Sequence, residues 1–167
     1  FMAACHAYYH CCILCDKQTT GLMVAVDATC SGLQILAGLA KDQSTASLFN
    51  VCPGYRPSDA YKAVAEEAKK YLPAELHPWM TRKTTKRTVM TIPYNATRSS
   101  SWGYIREALV EQGFEPEKSQ VSEVVSAVYQ SMDAIVPGPM RIMRWIKPHV
   151  GQSIRSGPTA VESTTPS

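Results

Sequence analysis

The sequence predicts a mostly helical α+β fold. Three observations carry that prediction. Apolar residues recur at helical spacing in several segments, most clearly at Ala60, Val64, Ala68 and Leu72. Residues 22–27, Leu-Met-Val-Ala-Val-Asp, are apolar on both faces and read as a short buried strand. Proline and glycine punctuate the chain where helices would stop and turn, as at Pro53-Gly54, Pro73 and Gly113.

Composition bounds the rest. The chain has 167 residues, 45% of them hydrophobic and 19% charged, which suits one domain with a real core and excludes a disordered chain. A net charge of +3 permits a nucleic-acid partner without demanding one, because the charge that matters would be local. No apolar run is long enough to span a membrane, so no membrane partner is expected. The N-terminal apolar segment lacks a basic flank and is broken by His6 and His10, so it does not read as a signal peptide. A start at Phe1 and an end at Thr164-Thr165-Pro166-Ser167 suggest a piece of a longer chain.

The elements follow in order. Residues 2–14 read as an apolar helix and 16–21 as a polar turn. After the strand at 22–27, Thr29 and Ser31 offer caps for a helix over about 32–41. Residues 46–51 read as extended. Ser58 is expected to cap a helix over 59–72, stopped by Pro73. Pro78 opens the next helix, and Pro93 should kink or end it. Further helices are expected over 101–112, 119–133 and 139–150, then a loop over 151–157 and a strand over 159–164.

The helix after Pro78 carries the most chemistry. At about 100° per residue, Arg82 and Lys86 lie about 40° apart, with Tyr94 on the same side about 80° further round. Met90 fills the intervening position. Two cations a turn apart suit a polyphosphate, Arg as a planar fork and Lys as a point charge. A phenol further along could meet the sugar or base of the same nucleotide. The plainer alternative is a solvated amphipathic helix with Arg82, Lys83, Lys86 and Arg87 facing water.

A second constellation is Asp27-Ala28-Thr29-Cys30-Ser31-Gly32-Leu33-Gln34. A carboxylate ending a buried strand is costly unless it is paired or binds a metal. Magnesium takes oxygen ligands, usually one or two carboxylates plus substrate phosphates. Asp27 would then hold metal while the Arg/Lys helix holds a triphosphate open to in-line attack at its α-phosphate. The alternative is a plain helix cap. Of the six cysteines, Cys5, Cys11, Cys12 and Cys15 crowd the first fifteen residues. Cys12-x-x-Cys15 has zinc-knuckle spacing, but no second pair follows, so buried reduced thiols on a core helix, in a reducing compartment, are the expectation.

These motifs together resemble the single-subunit DNA-directed RNA polymerases of bacteriophages and mitochondria. The family's motif A runs Asp-Gly-Ser-Cys-Ser-Gly-(Leu/Ile)-Gln-His, against Asp27 to Ile35 here. Its motif B runs Arg-x-x-x-Lys-(x)7-Tyr-Gly with Val-Met-Thr inside, against Arg82, Lys86, Val89-Met90-Thr91 and Tyr94-Asn95. Asp59-Ala60-Tyr61 sits where the family has an Asp-x-Tyr at a helix head, and Thr165-Pro166 resembles the start of a Thr-Pro-x-Gly-Phe-Pro segment. The resemblance covers essentially the whole chain.

The resemblance implies partial palm and fingers subdomains of a right-hand polymerase: a palm segment with motif A at 1–57, a fingers segment with motif B at 58–153, and the start of a further strand at 154–167. It implies template-directed RNA synthesis from ribonucleoside triphosphates by a two-metal mechanism. Asp27 would be a catalytic ligand to two magnesium ions, with the Ala28 carbonyl beside it and the second carboxylate outside this chain. Arg82 and Lys86 would bind triphosphate, Lys86 also acting as general acid. Tyr94 would close over the nascent pair and help select ribose. Lys83 and Arg87 would lie near phosphate or template. Partners would be DNA template, nascent RNA and ribonucleotides, with no obligate protein partner. The 167 residues alone would be inactive. The alternatives are a related DNA polymerase, whose family lacks the Cys-Ser-Gly-Leu-Gln signature, a non-catalytic nucleic-acid-binding remnant, and a structural zinc module. A bacterial cytoplasmic location is expected for a phage enzyme, with mitochondria as the alternative. Departures from the family pattern are Ala28 and Asn95 for Gly, Ile35 for His, and Glu162 where some members have His. Asn95 tolerates positive φ, so a tight turn should survive.

Overall fold

Four helices wrap one another around the apolar positions that the periodicity marks. The computed structural model describes residues 2–16, 21 and 30–157. The helices are α1 (Met2–Tyr8), α2 (Ser31–Ala40), α3 (Gln43–Leu48), α4 (Ala60–Ala68), α5 (Arg82–Thr91), α6 (Arg98–Val110), α7 (Lys118–Ile135) and α8 (Pro137–Ser156). Among the described residues there is no strand. The strands expected over 22–27 and 159–164 lie outside the described residues.

α4 packs on α5 and α7, and α6 closes the group by packing on α5 and α7. Val64, Val89, Ile105, Leu109, Val121, Val124, Val128 and Met132 meet in its centre, all essentially without solvent contact. Burying aliphatic side chains of this size stabilises by about 1.5–3 kcal/mol each relative to exposure. α2 packs beside this group, against α3 and α8.

The helix ends have local causes. Asp59, not Ser58, caps α4: its Oδ1 accepts from the Tyr61 and Lys62 backbone N–H groups, both at 3.1 Å. Beyond Ala68 the chain tightens into a 3-10 turn, Lys69–Tyr71, before Pro73. Pro78 does not open α5; it sits inside a 3-10 segment, Ala74–Trp79, and α5 starts at Arg82. Pro93 does end the α-helical pattern: α5 passes into a 3-10 turn, Ile92–Tyr94, and Asn95 takes the left-handed conformation at φ 66°. Asn95 thus supplies the tight turn that the sequence reading expected of it.

Three further expectations are corrected. Residues 46–51 are not extended, because α3 covers Gln43–Leu48. Its start is fixed by Asp42, which accepts from the Thr45 N–H at 3.1 Å and the Ser44 and Thr45 hydroxyls, each at 2.7 Å. Residues 151–157 are not a loop, because α8 carries through Pro148 and Gly151 to Ser156. Cys30, rather than Thr29 or Ser31, stands in the cap position of α2, in the left-handed conformation.

The N-terminal segment is not a core helix. α1 and the π-helical turn Tyr9–Ile13 that follows bury no residue. Cys5, Cys12 and Cys15 are exposed and Cys11 is half-buried; Cys30 alone of the six is buried. Among the described elements this segment packs mainly on itself. No group of three metal-ligating side chains occurs among the described residues. His10 Nδ1 instead meets Asp16 at 2.8 Å.

Asp42 also reaches α8. Its Oδ2 accepts from the Gly138 N–H at 3.0 Å, satisfying an amide in the first turn of that helix and placing negative charge at its N-terminus. A side chain at Gly138 would bring Cβ to 2.6 Å from Asp42 Oδ2, so the approach requires glycine. The hydrogen bond from Ser44, with those from Thr45 and Gly138, holds the Asp42 carboxyl well below the usual carboxylate range. A depressed folded-state value contributes stability above the unfolded pKa of about 3.9 that is lost as pH falls through the folded one. Asp42→Asn should therefore flatten the acid limb of the stability curve below about pH 5, which denaturant midpoints measured across pH will show. At pH 7 Asp42→Ala should cost about 1–2 kcal/mol, the upper part of the range of a single helix cap.

Candidate nucleotide-binding site

α5 divides its residues between two faces. Thr84, Thr85, Thr88 and Val89 are buried, whereas Arg82, Lys83, Lys86, Arg87 and Met90 are exposed. The inner face is unusually polar, and most of its hydroxyls are matched. Thr84 Oγ1 donates to the Trp79 carbonyl at 2.6 Å, and Thr85 Oγ1 to the Tyr61 carbonyl at 2.8 Å. Gln112 ties α6 to this face, accepting from Thr81 and donating to Thr84.

The outer face forms one wall of a groove of about 750 Å³ between α5 and α6, with Arg82, Lys86, Met90 and Tyr104 among its lining. The basic residues are not equivalent there. Lys83 Nζ meets Glu111 at 2.8 Å, and Arg87 Nη1 meets Glu107 at 2.6 Å. Arg87 also lies over the Tyr104 ring, 4.1 Å from its centroid. Lys83 and Arg87 therefore clamp α5 to α6. Lys86 forms no ion pair with a described residue, and its ammonium is open to the groove.

Arg82 faces the other way along its stem. Its Nε donates to Asp59 Oδ2 at 2.8 Å, and its guanidinium lies 5.1 Å from the Tyr61 ring centroid. Arg82 thus borders a second hollow, lined by Cys30, Phe49, Asp59 and Tyr61. Burial, with the neighbouring Cys30 thiol, pushes the Tyr61 phenol up to about 12. Burial likewise raises the Cys30 thiol. Both groups stay protonated at neutral pH, so Arg82 meets a neutral ring and a charged carboxylate.

Tyr94 leaves the α5 stripe because of the 3-10 turn at Pro93. It is 67% exposed, and its phenol oxygen is 3.1 Å from Ser31 Oγ, in the first turn of α2. Gly32 lies under this contact. A Cβ there would come within 2.7 Å of Pro93 Cβ and 3.4 Å of Tyr94 Cζ. The Ser31-Gly32 pair therefore lets the end of α5 settle on the start of α2. Asp27 and Ala28 lie outside the described residues.

The sequence reading brought Arg82, Lys86 and Tyr94 together on one stripe. The structure places Arg82 and Lys86 on one groove and Tyr94 beyond its end, on α2. It adds Asp59, Ser31 and Gly32 as direct neighbours of these side chains. Asp59-Ala60-Tyr61 was visible as a motif, but its contact with Arg82 spans 23 positions and no periodicity signals it. The acidic partners Glu107 and Glu111, at the end of α6, are likewise far from Arg87 and Lys83 in sequence.

A family model described as DNA-dependent RNA polymerase matches residues 1–164. The chain belongs to the single-subunit DNA-dependent RNA polymerase family. It is 30% identical over 148 residues to the mitochondrial DNA-directed RNA polymerase of Neurospora crassa, an alignment covering 78% of this chain and 10% of the relative. It is 29% identical to the human mitochondrial enzyme over 138 residues, 75% of this chain and 11% of the relative. The Schizosaccharomyces pombe mitochondrial enzyme is 31% identical over 145 residues, 78% of this chain and 12% of the relative. The chain thus spans about a tenth of the length of these curated relatives. Among the described residues no helix is long and apolar enough to cross a membrane.

In this polymerase segment the seam between α2 and the 3-10 turn after α5 has no room for a Cβ at Gly32. Gly32→Ala should overpack it and cost about 1–3 kcal/mol, read as a lower denaturant midpoint. Gly103→Ala, on α6 with open space around it, should leave the midpoint unchanged or raise it, since alanine favours the helix.

Proposed function

We propose that this chain is the nucleotide-handling segment of a DNA-directed RNA polymerase. One observation carries the proposal. Arg82 and Lys86 share a groove on the outer face of α5, and the same element ends with Tyr94 bonded to Ser31, four positions after Asp27. In this reading residues 1–57 belong to a palm-type unit, 58–153 to a fingers-type unit, and 154–167 begin a further strand. The substrates are ribonucleoside triphosphates, and DNA template and nascent RNA are the partners. The relatives quoted above are RNA-making enzymes, which favours RNA over DNA synthesis. They are also mitochondrial enzymes, which favours the organelle over a bacterial cytoplasm for the parent protein.

The residues divide the work by their chemistry. Lys86, a mobile point charge without a competing carboxylate among the described residues, suits the phosphate chain. Its ammonium can pass a proton to pyrophosphate as the bond between the α- and β-phosphates breaks, while the RNA 3′-hydroxyl releases its proton to solvent and its oxygen bonds to the α-phosphate. Arg82 offers the planar fork for a second phosphate oxygen pair. Tyr94 presents a phenol to the sugar, where a hydrogen bond to the 2′-hydroxyl separates ribose from deoxyribose.

Magnesium fits the donor chemistry of motif A. Asp27 and the Ala28 carbonyl are hard oxygen donors, the type this ion takes. The bound ions would neutralise phosphate charge. No group of three candidate ligands occurs among the described residues. In this reading the second carboxylate belongs to the parent protein outside this chain, and the isolated 167 residues should not extend RNA.

The test uses the full-length polymerase that carries this segment. Lys86→Ala should lower kcat/KM for all four ribonucleotides by about a hundredfold or more, as expected for loss of a charge at a reacting phosphoryl group. Tyr94→Phe should retain RNA synthesis but raise deoxynucleotide use relative to ribonucleotide use by about tenfold. Unchanged kcat/KM in the first variant would remove Lys86 from the site. Unchanged sugar preference in the second would remove Tyr94 from sugar selection.

A further inference from the structure

The Asp59 carboxylate is divided between two duties. Oδ1 accepts from the Tyr61 and Lys62 amides, which locks the carboxylate to the first turn of α4. Oδ2 then meets the Arg82 Nε at 2.8 Å. A carboxylate held by two backbone amides cannot swing freely, so the position of Oδ2 is fixed by α4. Tyr61, 6% exposed and two residues on, sets its ring against the guanidinium from the same turn.

The atom that Asp59 engages matters. A guanidinium has five N–H donors, one on Nε and four on the two terminal nitrogens. Asp59 takes the Nε donor. Neither terminal nitrogen forms a hydrogen bond with a described residue, and together they form the edge that binds phosphate as a fork. A side chain with about 2 kcal/mol of rotamer freedom is therefore ordered before substrate arrives.

We propose that Asp59 is a positioning residue for nucleotide binding. It holds Arg82 by Nε, with Tyr61 as the supporting wall, so that the terminal nitrogens meet the triphosphate already oriented. Asp59 itself touches no substrate. The proposal rests on the reading that Arg82 binds triphosphate, and it assigns the Asp-x-Tyr at the head of α4 a role in that site.

Asp59→Asn in the full-length polymerase is the test. Asparagine caps a helix about as well as aspartate, so α4 keeps its start. Its amide nitrogen or neutral oxygen is a poor partner for Arg82 Nε. The expected result is a rise of about three- to tenfold in KM for every ribonucleotide, the equivalent of re-immobilising one long side chain, with kcat within about twofold. Asp59→Ser, a second neutral cap, should give the same split, and it is read in place of Asp59→Asn should that variant fold poorly. In an Arg82→Ala background neither substitution should change KM further, because the residue being positioned is gone.

The failures are separable. Should Arg82→Ala leave KM unchanged, the triphosphate reading of Arg82 falls. Should Arg82→Ala raise KM while the Asp59 variants do not, positioning by Asp59 alone is overturned. A lower KM in the Asp59 variants would mean that the carboxylate competes with phosphate, which also overturns it. So would an Asp59 effect that persists without Arg82.

Discussion

The close approach of the 3-10 turn after α5 to α2 is the constraint on which the candidate site depends. Two elements that are far apart in sequence are brought into contact at Gly32, where only a hydrogen leaves room for the Pro93 ring. Proline ends the α-helical pattern at Thr91, and the 3-10 turn that follows carries Tyr94 over to Ser31. Without the missing Cβ, the phenol and the motif A helix could not share one place. Asp42 secures the other end of α2, bridging the start of α3 to the start of α8. The helix that follows motif A is thus held at both ends by contacts that tolerate little extra volume.

The basic helix is likewise organised by what its charges already touch. Lys83 and Arg87 are committed to Glu111 and Glu107, exposed pairs worth little in stability but well placed to fix the facing of α5 and α6. Among the described residues Arg82 pairs with Asp59 through Nε, and Lys86 forms no ion pair. Of the cations clustered in one turn and a half, the two that the family motif marks are those not tied to Glu107 or Glu111. That division comes from the acidic residues of α4 and α6, not from the spacing within α5.

Family membership and helix positions were legible because they rest on local order. The run from Asp27 to Gln34 and the Arg82, Lys86, Tyr94 spacing are short-range patterns, and the family they suggest is the one whose model matches residues 1–164. The helices around Val64, Leu109 and Val128 were legible because their apolar residues recur at the helical period and all face one core. The reading failed where apolar character and burial part company. Residues 2–14 look like a core helix, yet none of them is buried in this structure. The buried face of α5 is mostly threonine, and the hydroxyls of Thr84 and Thr85 are satisfied by carbonyls that sequence does not reveal.

By itself, the sequence determined which chemical groups are available and along which helix they lie: two cations a turn apart, a phenol beyond a proline, and a motif A run ending in a helix start. Helical period and proline's missing N–H suffice for that. Only the tertiary structure decided which cation is held and by which nitrogen, and onto what the phenol closes. Those outcomes depend on contacts such as Asp59 with Arg82 and Ser31 with Tyr94, 23 and 63 positions apart. Residues that distant meet only once the core has packed, and no local spacing encodes the meeting.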